Sequence, residues 1–234
     1  MITYLKIFLI VIHTFVCSIF GLIFIFIDRS FTLYHYITKI YPGGILLISG
    51  IKIKRTGLEN IDKKATYIFA SNHSSHLDIT ALQWGVPNRL SMIFKKELVK
   101  IPFFGWQLYL GPYVVVDRKD PQAAMKSLEK AKRIMDTKKI SVLVFPEGTR
   151  SKTGEVQSFK RGAFYLAARS GYPIVPITIN GTAKILPKGT FKLNRGTIYL
   201  HFDKPIPTDG IKTKQDELEL MERVRNIIIS NKKD

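Results

Sequence analysis

The chain has 234 residues, 36 Lys plus Arg against 18 Asp plus Glu, a formal charge of +18 and one cysteine. That length suits one α/β domain with a small appendage. A lone cysteine, Cys17, set in an apolar run, excludes a disulfide framework, a Cys-rich zinc site and a thiol nucleophile, while so basic a balance points to polyanionic partners: nucleic acid, anionic lipid headgroups or phosphorylated substrates.

In chain order, residues 7–27 come first, 21 consecutive positions without a charge and dominated by Phe, Ile, Leu and Val. As a helix rising ~1.5 Å per residue this run reaches roughly 31 Å, about the hydrocarbon thickness of a bilayer. A cleaved signal peptide is the competing reading, but the run is longer than an h-region and no small-residue cleavage site precedes Asp28-Arg29. Residues 31–51 are also apolar, with Lys39 the single charge. The two segments form either a membrane span with a following helix or a hairpin that dips into one leaflet. Phe31, Tyr34, Tyr36 and Tyr41 suit the headgroup boundary, and either arrangement leaves the basic remainder on the cytoplasmic face. Residues 1–50 are therefore expected to anchor the protein to a membrane and residues 51–234 to form the globular domain.

After Gly50 the pattern changes. Short β-branched or aromatic runs predict strands at 66–70, 91–94, 113–116, 141–145, 174–179 and 197–202. Helical spacing predicts helices at 75–84, 121–136, 160–169 and 214–229. Strands alternating with helices predict an α/β fold with a mainly parallel central sheet flanked by helices.

Ligands of such sheets sit beyond the carboxyl ends of strands. Two polar motifs fall there: Asn72-His73-Ser74-Ser75-His76-Leu77-Asp78 after the strand at 66–70, and Phe145-Pro146-Glu147-Gly148-Thr149-Arg150-Ser151 after the strand at 141–145. Five residues at ~100° each put His73 and Asp78 about 140° apart on a regular helix, so they are no same-face helical pair. The workable arrangement sets His73 in the loop before a helix, with Asp78 one turn inside and folded back to the imidazole. An aspartate on one ring nitrogen fixes the tautomer, and the other nitrogen then takes a proton from a substrate hydroxyl.

Taken singly, these residues have plainer readings. Asp78 suits the positive end of a helix, Lys95, Lys96 and Arg118 suit solvated surface, and residues 146–149 suit an ordinary turn. His76 is expected on a helix surface. With His13 and His35 in the apolar segments, His201 in a late strand and no H-E-x-x-H spacing, no metal site is expected. Ser74 and Ser75 lack a G-x-S-x-G elbow and read as helix caps.

Taken together, four ordered blocks resemble the glycerolipid acyltransferases related to bacterial 1-acyl-sn-glycerol-3-phosphate acyltransferase. They are residues 72–78, which look like that family's H-x₄-D motif; Lys95-Lys96-Glu97-Leu98 with 101–106, Gly111 and Val116-Asp117-Arg118; residues 145–151; and Ile174-Val175-Pro176-Ile177. The resemblance implies transfer of a fatty acyl group from acyl carrier protein or coenzyme A to the sn-2 hydroxyl of lysophosphatidic acid, without a cofactor, a metal or an acyl-enzyme. It further implies that His73 is the base and that Asp78 orients it. Lys95, Arg118 and Arg150 would hold the phosphate, Glu147 would position Arg150 or a glycerol hydroxyl, and Gly148 and Thr149 would offer backbone N–H groups to the phosphate or the oxyanion. Residues 102–106 either line a membrane-facing mouth or pack inside. The basic surface then meets an anionic membrane and not nucleic acid. Two alternatives remain: an acyltransferase for another lysolipid, and a nonenzymatic membrane-bound anionic-lipid-binding module, which gives the His-Asp pair no purpose.

Overall fold

The computed structural model describes residues 2–117, 120–190 and 193–233. Two antiparallel helices come first, α1 (Ile2–Ile27) and α2 (Thr32–Ser49). Asp28 turns the chain between them, its carboxylate accepting the backbone N–H groups of Ser30 at 2.8 Å and Leu33 at 2.9 Å. The helices meet along their lengths: Lys6 Nζ donates to the Ser49 carbonyl at 2.8 Å, and the His13 ring lies 3.0 Å from the Tyr41 carbonyl. A Cβ on Gly44 would sit 2.2 Å from His13 Nε2, so glycine is what permits this approach.

The sheet contains β1 (Ile51–Thr56), β2 (Ile68–Ser71), β3 (Leu90–Lys95), β4 (Val114–Val116), β5 (Ser141–Val144), β6 (Ile174–Asn180) and β7 (Gly196–Phe202), in the order β1-β7-β6-β2-β5-β3-β4. Every pairing is parallel except β6 with β7, so the mainly parallel sheet read from the sequence is the one observed. The central strands β2, β5 and β6 are buried on both faces, which is why they read as unbroken apolar runs. Pro176 sits inside β6 because its nitrogen faces β7 where that ladder ends: Ile177 pairs with Phe202, and the Pro176 carbonyl then accepts Asp203 N–H at 3.0 Å.

One face of the sheet packs α3 (Leu77–Gly85) with α2 behind it, through Phe69, Leu143, Val175, Leu82 and Leu46. The other packs α5 (Pro121–Lys138), α6 (Gly162–Ser170) and α8 (Lys214–Ser230), through Ile68, Ala70, Val142, Phe164 and Val224. The starts of α5 and α8 follow local chemistry. Asp120 caps Gln122 and Ala123, and Thr213 with Asp216 forms a capping box. Two short helices, α4 (Phe104–Leu110) and α7 (Thr182–Ile185), complete the set together with single turns at Leu58–Asn60 and Lys96–Lys100. α4 ties α1 to the domain, the Phe103 ring standing edge-on to Phe15 at 5.1 Å.

β1 and α4 were not among the predicted elements. Ile-Lys-Ile-Lys-Arg-Thr is an edge strand with its cations in solvent, and seven residues are too few for helical periodicity to register.

Candidate active site

His73 stands in the loop between β2 and α3, and Asp78 lies in the first turn of that helix. Their separation is closed by the fold-back geometry: His73 Nδ1 is 2.8 Å from Asp78 Oδ2. The same oxygen accepts the N–H groups of Ser74 at 2.7 Å and Ser75 at 2.8 Å. Asp78 is fully buried; its Oδ2 takes all three donors at the positive end of α3, while its Oδ1 has no hydrogen-bond partner among the described residues. An acceptor fixed on Nδ1 puts the proton there and leaves Nε2 with its lone pair. Among the described residues, Nε2 makes no hydrogen bond within the protein.

The second motif grips the first. Glu147 Oε1 accepts the backbone N–H of His73 at 2.7 Å, and Ser151 N–H donates to the His73 carbonyl at 2.7 Å. The other Glu147 oxygen takes Gln157 through its side-chain amide at 2.8 Å and its backbone N–H at 3.3 Å. Burial pushes the Glu147 carboxyl above the usual carboxylate range, against the pull of these donors. The imidazole stacks on Phe145, with centroids 4.0 Å apart and an 18° angle between planes. Asn72 secures the loop from behind, exchanging bonds with the Ile179 carbonyl at 3.0 Å and N–H at 2.8 Å.

A cavity of about 550 Å³ opens beside His73. His73, His76, Lys95, Thr149 and Arg150 form its polar end, and α2, α3, β3, the turn at Lys96–Lys100 and α4 supply Ile37, Ile79, Phe94, Leu98 and Phe104 to its apolar length. Two buried polar pairs line it as well: the Tyr34 hydroxyl donates to Gln107 at 2.9 Å, and the Gln83 amide donates to the Tyr113 hydroxyl at 2.9 Å. Desolvation and the nearby cation of Arg150 lower the His76 pKa from its ordinary value. An apolar slot with cations and an Asp78-bound imidazole at one end suits an anionic amphiphile that bears a hydroxyl.

The sequence-derived residues are thus gathered unevenly. His73, Asp78 and Glu147 are interlocked, and Arg150, Thr149 and Lys95 stand at the rim, Lys95 also 3.1 Å from Glu97. Arg118 lies outside the described residues. Glu147 was expected on Arg150 or on substrate; it holds the peptide of His73, because a buried carboxylate takes the N–H donors it is packed against. Gly148 was expected to offer its N–H to substrate, but that group donates to the Phe145 carbonyl at 3.0 Å in a turn that requires φ of 70°. Phe145, Ser151 and Gln157 were not singled out. The first two stood inside the motif, whereas Gln157 carried no local signal. Among the described residues no three His, Cys, Asp or Glu side chains gather as a metal site would need.

Comparison with known proteins bears on this arrangement. Residues 52–180 match the model of a family described as Acyltransferase. The chain is similar to 1-acyl-sn-glycerol-3-phosphate acyltransferases of Limnanthes douglasii, 38% identical over 73% of this chain and 60% of that protein, and of Saccharomyces cerevisiae, 36% identical over 80% and 62%. It thus spans about 60% of the length of the relatives it matches. A crystal structure of the 1-acyl-sn-glycerophosphate acyltransferase from Thermotoga maritima superposes with a TM-score of 0.84 at 26% identity, covering 98% of this chain and 92% of that one.

Proposed function

Because the chain belongs to the acyltransferase family, we propose that it moves a fatty acyl group from acyl carrier protein or coenzyme A to the sn-2 hydroxyl of 1-acyl-sn-glycerol 3-phosphate, forming phosphatidic acid. The observation that carries this reading is His73, held at Nδ1 by Asp78 at 2.8 Å and lining an apolar cavity together with Lys95 and Arg150.

The lysolipid phosphate lies against Arg150 and Lys95, with Arg118 as a third cation, and its chain follows the apolar wall. Arg150 supplies a planar fork for two phosphate oxygens, Lys95 a point charge. His73 Nε2 removes the proton of the sn-2 hydroxyl as that oxygen attacks the thioester carbonyl. The imidazolium is stabilised by Asp78, whose buried carboxylate is worth more there than in water. Collapse of the tetrahedral intermediate expels the thiolate, which takes the proton back from Nε2. Glu147 acts as a positioning residue, holding the His73 peptide. Gly148 shapes the turn, and the Thr149 N–H is the remaining candidate for the oxyanion.

Residues 1–50 are the anchoring unit and residues 51–234 the acyltransferase domain. Exposed Phe8, Phe15, Tyr36, Leu47, Trp106 and Tyr109 on α1, α2 and α4 lie in lipid, and the basic remainder faces an anionic cytoplasmic leaflet, each Lys or Arg there adding about 1 kcal/mol of attraction. The pairing of α1 with α2 favours a hairpin in one leaflet, since a crossing α1 would drag the polar groups of α2 and α3 into hydrocarbon.

The test incubates detergent-purified protein with a long-chain acyl thioester and the lysolipid, and follows phosphatidic acid by mass spectrometry beside folded His73→Ala. Product from wild type alone is expected. Product surviving in His73→Ala would remove the proposed base, and none from wild type with any thioester or lysolipid would remove the reaction.

A further inference from the structure

A second cavity, of about 920 Å³, lies over β1, β7 and α7. Its wall carries six cations, Lys54, Lys152, Lys184, Lys188, Arg195 and Lys233, and no carboxylate. None of the six is in a salt bridge among the described residues. Like charges left together cost stability unless something anionic joins them. One phosphate is satisfied by two or three such groups, so six, distributed around one cavity, suit a ligand with several anionic centres. Its volume is that of a small-molecule site and not of a flat protein interface. Tyr199, 49% exposed, offers an aromatic face there, with Lys54 Nζ 5.8 Å from the ring centroid, the pairing of cation and ring that receives a nucleobase beside its phosphates.

The cavity also touches the chemistry. Ser74 and Ser151, the residues that follow His73 and Arg150, form part of its wall, and Lys188 Nζ donates to the Arg150 carbonyl. We propose that this cavity binds a nucleotide bearing several phosphates, the carrier end of the acyl donor, so that donor and lysolipid approach the base from opposite sides of loops 73–78 and 147–151. This rests on the thioester-dependent reading above, and among donors it favours a coenzyme A thioester.

The experiment titrates adenosine 3′,5′-bisphosphate into the detergent-solubilised full chain by calorimetry. The variants are Lys184→Ser/Arg195→Ser and, separately, Lys54→Ser; adenosine and vesicles containing phosphatidic acid serve as competitors. Saturable binding is expected, weakened at least tenfold in the double variant, with adenosine and vesicles unable to displace the nucleotide. In turnover, KM for acyl-coenzyme A rises in the same proportion while KM for lysolipid holds. No binding, equal binding to folded variants, or displacement by the vesicles, which would mark a lipid-headgroup site, would each overturn the proposal. Because binding is read without turnover, a failed acyltransferase assay leaves this result to stand separately.

Discussion

Glu147 Oε1 lies 2.7 Å from the backbone nitrogen of His73, so an acid 74 residues downstream fixes the peptide of the proposed base and not its ring. Phe145 covers one face of the imidazole and Asp78 holds its Nδ1, and the ring position then follows from the peptide that carries it.

Replacing Glu147 by Gln puts an NH₂ group where either His73 N–H or the Gln157 donors need an acceptor. The folded variant is expected to lose roughly 10- to 100-fold in kcat, the size of a displaced general base, with little change in KM for lysolipid. A stability readout separates this from simple damage. The folded pKa of Glu147 is raised by burial, so between the unfolded carboxyl value of about 4.3 and that raised value the native state binds more protons than the unfolded state. Its contribution is fully present below the unfolded value and is lost as pH rises through the folded one. The stability difference between wild type and Glu147→Gln, followed by urea unfolding in detergent, should therefore decline with rising pH across that window; a flat difference would count against the buried carboxylate.

Asp78→Asn should be nearly as damaging as loss of the base. One oxygen, Oδ2, takes His73 Nδ1 and the N–H groups of Ser74 and Ser75, so in the variant either the amide oxygen keeps that place with an NH₂ buried at the Oδ1 position, or the NH₂ takes it and meets three donors. His73 Nδ1 thereby faces either a neutral oxygen, which no longer balances the charge of the imidazolium, or an NH₂ that forces its proton to Nε2 and removes the lone pair facing substrate. A fall in kcat approaching about 10⁴, the scale of an aspartate-to-asparagine change beside a catalytic histidine, is expected. Unaltered kcat in Asp78→Asn would show that the proton is removed by another group.

How far the sequence foretold this arrangement differs between elements. β2, β5 and β6 were legible because strands buried on both faces carry little but apolar residues. β1 was not, since half of Ile51–Thr56 is cationic and solvated. The fold-back of Asp78 onto His73 followed from the angular step of a helix. The bond from Glu147 to the His73 peptide had no such trace, because a side chain that binds a backbone N–H leaves no residue-type signature at the receiving position. The same holds for Lys39, a lone charge in an apolar helix, whose partners are backbone carbonyls.

Lys39 Nζ donates to the carbonyls of Gln83, at 2.8 Å, and Val86 at the C-terminal end of α3. The cation sits where the helix dipole is negative and where the last carbonyls lack helical partners. It thereby fastens the hairpin of α1 and α2 to the helix that carries Asp78. Lys39→Met keeps the length of the side chain and leaves two carbonyls without it, and is expected to cost about 1–3 kcal/mol. Vesicle binding should be retained, since the exposed face of the hairpin is unchanged, while activity loses heat resistance. Equal thermal inactivation of wild type and variant would show that the latch contributes nothing.

Arg150→Lys distinguishes charge from geometry at the rim of the apolar cavity. The Arg150 carbonyl is held by Lys188, and the loop around it is fixed by Ser151 on His73 and by Gln157, whose amide donates to Thr149 O at 3.2 Å. With the backbone held, the substitution changes only the head group. Lysine keeps the positive charge but replaces a planar fork, able to meet two phosphate oxygens, with one compact ammonium. Loss of one charge-assisted bond of about 1.5–3 kcal/mol corresponds to a rise in KM for the lysolipid of roughly 10- to 150-fold. KM for the acyl donor should stay near wild type, and kcat should change less than KM because His73 and Asp78 are untouched. If Arg150→Lys instead lowered kcat with KM constant, Arg150 would act on the developing oxyanion, and the phosphate would have to be held by Lys95 and Arg118.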